Sequence, residues 1–499
     1  MPWYKRLYKW IEQRVQLERP IKEAMLHPVP KSTASWWYVF GSAALTVLIL
    51  QIVTGILLAL VYVPSAAGAW NSLEVLNHQI PLGWFLRAVH GWGSNFMVAI
   101  VIVHMVQVFL FGAYKYPREL TWISGVFLLL MTLGMAFTGQ VLRFDQDAYW
   151  GIGIGASIMG RVPVLGAQLV HLLLRGPIIA GSTLTQFFAL HVFVIPGALL
   201  TFVGLHLWMV LKLGINEWPM PGRVVRRETY FQEYNELIRR QGVPFFPAAI
   251  WKDVVFSAGV IFAVALCAAI FGPYGPTGVP DPTIIQTVPK PDPPFLWLYS
   301  LLSLLPPNWE TPFLLIAPPI AILLLIALPL VAGVGEKSWY RRPVAVLTVL
   351  VLAVAWGVLT HLGMYTPWSP KMTAWSGFAV PVHFIENSTP LVRQGANVFQ
   401  YKQCRNCHAL GGKGGQRGPA LDEIAVKMTG DQMVRQVIQG GGNMPAFGKN
   451  LSPPEVTALV AFLQTLHQPS ERPAGDASRV VVQGDSAQPK NDIEKGARY

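Results

Sequence analysis

Seven long apolar stretches constrain this chain more than any other feature: roughly 36–63, 84–112, 121–142, 184–213, 251–272, 311–333 and 343–365. Each reaches the ~20 apolar residues that an α-helix needs to cross a bilayer at ~1.5 Å per residue. Inside lipid a backbone must satisfy its own hydrogen bonds, so an all-α, seven-span transmembrane helical bundle is expected. With 53% apolar and 13% charged residues over 499 positions, the chain also has room for a soluble appendage. An odd number of spans puts its two ends on opposite sides.

Loop charges choose the sides. The leader, the Tyr114–Arg118 turn, the segment holding Arg223, Arg226, Arg227, Arg239, Arg240 and Lys252, and the Lys337–Arg342 turn are basic. By contrast, the 64–83 loop has no Lys or Arg, and the 273–310 loop has only Lys290. The positive-inside rule then places the N-terminus in the cytoplasm of a bacterial inner membrane and everything after residue 365 outside. The net charge of +12 therefore reflects topology and not nucleic-acid binding. Residues 1–35 mix Lys5, Arg6, Lys9, Arg14 and Arg19 with Trp3, Tyr4, Leu7, Trp10, Ile11 and Val15, which reads either as a basic interfacial helix or as a solvated leader.

Two of the spans carry paired histidines, His90 with His104 and His191 with His206. At fourteen and fifteen positions apart, the two imidazoles of each span lie on nearly one face, roughly 21 to 22 Å apart along the axis. Side by side, the helices would present two facing pairs, His90/His191 outside and His104/His206 inside. A hydrogen bond to a neighbouring helix explains any one such histidine. Four at matched depths need a function, because intramembrane ionisable groups are costly. Zinc takes four ligands where each pair offers two, whereas haem iron takes two axial ligands on opposite faces, so two non-covalent b haems are expected.

Gly41 and Gly55 on the first span, and Gly125 and Gly139 on the third, repeat the fourteen-residue spacing. A macrocycle edge could approach the backbone there; small-residue helix packing is the alternative. Arg87, one turn before His90, either neutralises a haem propionate or snorkels to the interface.

Past the last span, 366–390 reads as a linker and 391–468 as a soluble domain. Cys404-Arg405-Asn406-Cys407-His408 is the C-x-x-C-H signature of covalent haem c, with two thioethers and an axial imidazole. Helices are expected at Val392–Gln403 and, opened by the capping box Ser452-Pro453-Pro454-Glu455, at Val456–Leu466. Met444, in Gly442-Asn443-Met444-Pro445, is the candidate sixth ligand, a soft thioether that favours reduced iron. Met428 and Met433 are assigned to a helix and its core, and Cys267 to apolar packing on the fifth span. The tail, 469–499, is polar and expected to be disordered. The membrane part divides into the 1–35 leader, a 36–220 dihaem four-helix bundle and a 221–365 three-span region.

Four segments carry a family resemblance: Arg87-Ala88-Val89-His90, Tyr116-Pro117-Arg118-Glu119-Leu120-Thr121-Trp122, Phe144-Asp145-Gln146-Asp147-Ala148-Tyr149-Trp150, and Ser182 through His191. They resemble cytochrome b of the bc1 and b6f complexes, over residues 1 to about 365. The longer His191–His206 spacing and the seven spans are similar to the b6f branch, as if cytochrome b6 were fused to its subunit IV. The C-terminal part resembles class I cytochrome c, with Gly395, Phe399 and Gly418-Pro419 placed as in that family.

The resemblance implies a quinol:cytochrome c oxidoreductase subunit that oxidises membrane quinol near the outer surface, with proton translocation. Its implied partners are a Rieske iron–sulfur subunit, the quinone pool and a c-type cytochrome acceptor, in a homodimeric complex. The Rieske centre must lie on another chain, since both non-membrane cysteines belong to C-x-x-C-H. Two departures stand out. Val39 replaces the cysteine that tethers an extra haem in the b6f branch, and Pro293-Pro294-Phe295-Leu296 stands where the family has Pro-Glu-Trp-Tyr. The proton acceptor then falls to Asp292 or Glu310, unless both are solvated charges and the outer site is not a standard one. A dihaem anchor that relays electrons to another periplasmic enzyme without bifurcation stays open.

Overall fold

The computed structural model describes residues 2–16, 18–176, 178–281, 290–365, 379–414, 418–440, 444, 446–448 and 450–474. The chain divides into two compact units, Met1–Met372 and Thr373–Tyr499. Residues 366–378 of the expected linker, Gly442, Asn443 and Pro445 beside Met444, and 475–499 of the expected tail lie outside the described residues.

The first unit opens with two helices, α1 (Trp3–Val15) and α2 (Glu18–Leu26). No side chain of α1 is buried, and Trp3, Leu7, Trp10 and Ile11 are exposed beside its basic residues. Among the described residues, seven helices are long and apolar enough to cross a membrane. They are α3 (Phe40–Ala59), α5 (Gly83–Leu110), α6 (Glu119–Leu142), α9 (Gly181–Leu213), α11 (Ile250–Phe271), α13 (Pro307–Val331) and α14 (Pro343–Tyr365). Their starts and ends fall within a few residues of the apolar stretches. Between them lie helices that hydropathy alone does not reveal: α4 (Ala69–His78), α7 (Gln146–Gly160), α8 (Gly166–Leu174), α10 (Tyr230–Gln241) and α12 (Leu296–Leu304). Asp145 caps α7 by accepting from the Ala148 amide at 2.8 Å. Pro312, Pro318, Pro319 and Pro329 sit inside α13, which a membrane helix tolerates better than a water-exposed one.

The first span of the three-span region, α11, packs on both α3 and α5. Val264 and Ala268 meet Ala88 and Val89, and Val260 meets Ala43, Val47 and Ile100. At the basic-loop end the two regions are locked by charge. Lys337, 1% exposed, donates to Asn216 and pairs with Glu217 at 3.0 Å, and Arg223 reaches the same carboxylate at 3.0 Å. Lys115 donates to the carbonyls of Ala332 and Val334 at 2.6 Å each. Burial alone would raise the Glu217 carboxyl, but the Lys337 ammonium and the bonds from Lys337 and Arg223 hold it down at about 2. Two short antiparallel pairs close the loops: β1 (Pro28–Pro30) with β3 (Gly242–Pro244), Val29 opposite Val243, and β2 (Val224–Val225) with β4 (Gly335–Glu336).

In the second unit, α15 (Pro390–Tyr401) crosses α17 (Pro453–Leu463), with α16 (Gly430–Gln439) beside them. The crossing is tight because Gly395 has no side chain: a Cβ there would overlap the Ala458 carbonyl. Phe399 and Phe462 pack next to it, ring centroids 5.6 Å apart. Glu455 reaches back to the Ser452 amide at 2.7 Å, half of the expected capping box. The end of the stretch read as linker carries structure, a 3-10 turn at Val382–Phe384, and its last residue, Pro390, is the first of α15.

Candidate functional site

The four histidines face one gap. Helix α3 packs along α5, and α6 along α9, whereas α5 and α9 hardly approach within 8 Å of each other. Directly packed helices lie only ~8–10 Å apart between axes, so the space between α5 and α9 is wider than side-chain packing alone would leave.

His90 and His191 point into that space with ring centroids 6.3 Å apart and planes at 78°. Two metal–imidazole bonds of about 2 Å each, plus the two ring half-widths, account for such a separation. Among the described residues no group of three or more His, Cys, Asp or Glu side chains could hold a bare metal ion. Two imidazoles suffice for a metal already carried by a macrocycle, so the donor set fits haem.

The extra residue between His191 and His206 has a local cause. Leu190–Val194 form a π turn, in which the Ile195 amide bonds the Leu190 carbonyl. Pro196 has no N–H for Val192, which breaks the α pattern there. A π turn absorbs one additional residue, and the fifteen-residue spacing is thereby matched to the fourteen on α5.

Each ligand-spaced glycine faces one histidine. A Cβ built on Gly41 would lie 3.2 Å from His104 Cε1, on Gly55 3.2 Å from His90 Cε1, on Gly125 3.7 Å from His206 Cε1 and on Gly139 2.9 Å from His191 Cε1. Each of these glycines thus has an imidazole lying against its backbone.

Three hydroxyls that the sequence reading passed over hold the rings. Thr54 Oγ1 is 2.8 Å from His90 Nδ1, Thr138 Oγ1 2.9 Å from His191 Nδ1, and Ser124 Oγ 2.9 Å from His206 Nδ1. Each hydroxyl proton is already given to a backbone carbonyl, of Leu50 at 2.7 Å, Gly134 at 2.8 Å and Thr121 at 2.8 Å. The oxygen must therefore accept from Nδ1–H, which leaves the Nε2 lone pair free for a metal. The signal was present in the sequence: each hydroxyl residue immediately precedes its glycine. Arg87 is buried, with Nε on Asn77 Oδ1 at 2.9 Å and a terminal nitrogen on the Gly275 carbonyl, so it is tied to protein and not left to snorkel.

Neither carboxylate proposed as a proton acceptor is a free solvated charge. Asp292 pairs with Arg143 at 2.8 Å, and Arg143 also meets the fully buried Asp145 at 3.5 Å. Glu310, in the first turn of α13, pairs with Arg161 at 2.9 Å. Between the ends of the Pro-rich loop, Pro293–Phe295 form a 3-10 turn with Pro294 buried. Asp147, in the first turn of α7, has no hydrogen bond or ion pair among the described residues. Partial burial, and then Asp145, raises its carboxyl above the ordinary range.

In the second unit, His408 Nδ1 lies 2.8 Å from the Pro419 carbonyl, which again leaves Nε2 free. Gly418 is required there, since a Cβ would collide with the His408 ring. Burial, followed by Cys407, pushes the Cys404 thiol up to about 12. Met444 Sδ accepts from Gln436 Nε2 at 3.7 Å. Met433 is buried in α16 as expected, but Met428 is extended at the end of the preceding helical turn and does not belong to a helix. Cys267 lies half-buried on α11.

These features define a membrane-spanning cytochrome b fold with a C-terminal cytochrome c domain. A family model described as cytochrome b/b6/petB matches residues 25–214, and one described as cytochrome C oxidase, cbb3-type, subunit III matches residues 390–463. Cytochrome b6 of Synechococcus elongatus is 35% identical over 211 residues, 42% of this chain and 98% of that protein. The cytochrome bc complex cytochrome b subunit of Chlorobaculum thiosulfatiphilum is 38% identical over 206 residues, 41% of this chain and 48% of that protein, so the match spans about half the length of that relative. A solved structure titled Hyperthermophilic respiratory Complex III superposes with a TM-score of 0.61 at 28% identity, covering 72% of this chain and 91% of that one. The chain belongs to the cytochrome b/b6 family. Its cytochrome b domain implies b haem and its C-terminal domain covalent haem c.

Proposed function

We propose that this chain is the electron-transfer subunit of a quinol:cytochrome c oxidoreductase in the bacterial cytoplasmic membrane. It holds one b haem between His90 and His191 near the outer surface, a second between His104 and His206 near the inner surface, and one c haem outside on Cys404, Cys407, His408 and Met444. When bound, these groups supply one-electron redox chemistry across the bilayer and toward a c-type acceptor. The observation that carries the reading is the His90/His191 pair: two rings 6.3 Å apart with both Nδ1 atoms committed to hydroxyls.

Quinol oxidation near the outer surface releases protons, and the Arg143 cluster offers places for them. Asp292 can accept one by leaving Arg143, and Asp147, which forms no ion pair among the described residues, is a second acceptor. A Rieske partner, supplied as a separate subunit, and homodimeric assembly complete the complex. One observation favours a second reading, a relay anchor without bifurcation: the Arg143–Asp292 pair occupies the carboxylate nearest the Pro293 turn.

Isolation of the complex separates the two, since the first reading expects a co-purifying iron–sulfur subunit and the second does not. Pyridine-haemochrome analysis should give two b haems to one c, and any other ratio defeats the assignment. His104→Ala or His206→Ala should remove one b haem in preference to the other; equal loss of both argues against facing pairs.

A further inference from the structure

The segment that carries Met444 is hooked at both ends onto the last turn of α16. The Gly440 amide closes that helix on the Gln436 carbonyl at 3.0 Å, and a φ of +70° at Gly440 turns the chain out of it. The chain then comes back. Helix ends leave carbonyls without intrahelical partners, and here the Phe447 amide takes that of Val437 at 3.0 Å and the Gly448 amide that of Ile438 at 3.1 Å. Gly448 permits the approach, since a Cβ there would lie 3.0 Å from the Ile438 carbonyl oxygen. Val437 and Phe447 are both buried, which seals the return.

Gln436 sits in this same turn. Gln432, Gln436 and Gln439 share one face of α16; the first accepts from the Thr429 amide at 2.9 Å, and it is the amide of Gln436 that reaches Met444 Sδ, at 3.7 Å. A thioether sulfur is a weak acceptor, and of its two lone pairs one can take the N–H while the other remains for a metal. On the assignment of Met444 as sixth ligand, we propose that Gln436 is a positioning residue for it: by donating Nε2–H to Sδ it fixes the thioether and raises the reduction potential of the c haem. Donation to the sulfur draws electron density from the iron ligand, and a weaker axial donor favours reduced iron. The bond is also stronger when the iron is reduced, because the sulfur is then richer in electrons. Both effects have one sign, and they make the c haem a better electron acceptor.

Redox titration of the purified full-length protein, followed at the c-haem absorption band, tests this. In Gln436→Leu the methionine-to-iron charge-transfer band should persist, because the backbone hooks are intact. The oxidised-to-reduced ratio at a fixed ambient potential should rise about two- to fivefold, the worth of a modest hydrogen bond, which is a fall of roughly 20 to 40 mV for a one-electron couple. Imidazole added to the oxidised protein should displace the thioether at about two- to fivefold lower concentration. Gln436→Asn, whose amide is one methylene too short for the contact, should behave as the leucine variant does, and Gln439→Leu should keep the parent values. Should the leucine variant fail to take up haem c, the asparagine variant decides: an unmoved potential there overturns the proposal, and loss of haem c in both makes Gln436 a folding residue and overturns it as well. So does an unmoved or raised potential in Gln436→Leu, or a Gln439→Leu variant that shifts as far. A parent without the charge-transfer band defeats the ligand assignment itself, a different failure from a parent that has the band and Gln436 variants that do not shift.

Discussion

Two glycine-to-alanine changes on one helix should have opposite outcomes, although composition, depth and propensity treat them alike. In Gly139→Ala the new methyl would lie 2.9 Å from His191 Cε1 and 3.4 Å from its Nε2. Ordinary carbon–carbon contact is ~3.5–4.0 Å, so the overlap is about 0.6 to 1 Å. The ring cannot retreat freely, because Thr138 holds its Nδ1 at 2.9 Å. Overpacking of this kind costs ~1–3 kcal/mol, which weakens haem retention by roughly 5- to 150-fold. Gly125→Ala puts its methyl 3.7 Å from His206 Cε1, within normal contact, and both changes gain the same ~1 kcal/mol of helix propensity. Haem titration of the purified variants, followed by visible spectra and the b-to-c ratio, should show loss of one b haem in Gly139→Ala and near-parent occupancy in Gly125→Ala. Equal retention in both, or preferential loss in Gly125→Ala, refutes the idea that these glycines exist to admit the imidazoles.

Met444→Ala should lower the c-haem potential and slow electron exit while both b haems still form, read by potentiometry; an unchanged potential and low-spin spectrum would exclude Met444 as the sixth ligand. Among Asp292→Asn, Glu310→Gln and Asp147→Asn, at least one should slow quinol-driven reduction of haem b in a stopped-flow assay. If none does, the proton leaves by another path. Glu217→Gln strands Lys337 and should destabilise the membrane unit by ~3–5 kcal/mol, seen as a lower midpoint in thermal denaturation, while the double change with Lys337→Met should cost less. The pH dependence has a definite sign: Glu217 is held at about 2 against an ordinary 4.5, so its contribution is present above 4.5 and is lost as pH falls toward 2. Stability that is flat across that window in the parent would contradict the ion pair's role.

The spans, the four histidines and the C-x-x-C-H motif were legible from the chain alone, because each rests on a local rule: length against bilayer thickness, helical period, and adjacency of ligands. The ligand-spaced glycines were legible as a pattern, but not what lies against them, since a missing side chain does not name its neighbour. The threonine–glycine and serine–glycine pairs stood in plain sight yet carried no meaning until α3 and α6 were laid beside α5 and α9 and the hydroxyl oxygens met Nδ1. Position along the chain could likewise not reveal that Asp292 is claimed by Arg143, 149 residues away, and Glu310 by Arg161. Whether a carboxylate is solvated or paired depends on through-space distance, which only the tertiary fold sets. The same holds for the fifteen-residue His191–His206 spacing. Counting finds one residue more on the second span, and the backbone absorbs it with one π turn before Pro196, because helix pitch is a property of hydrogen bonding in three dimensions and not of residue number.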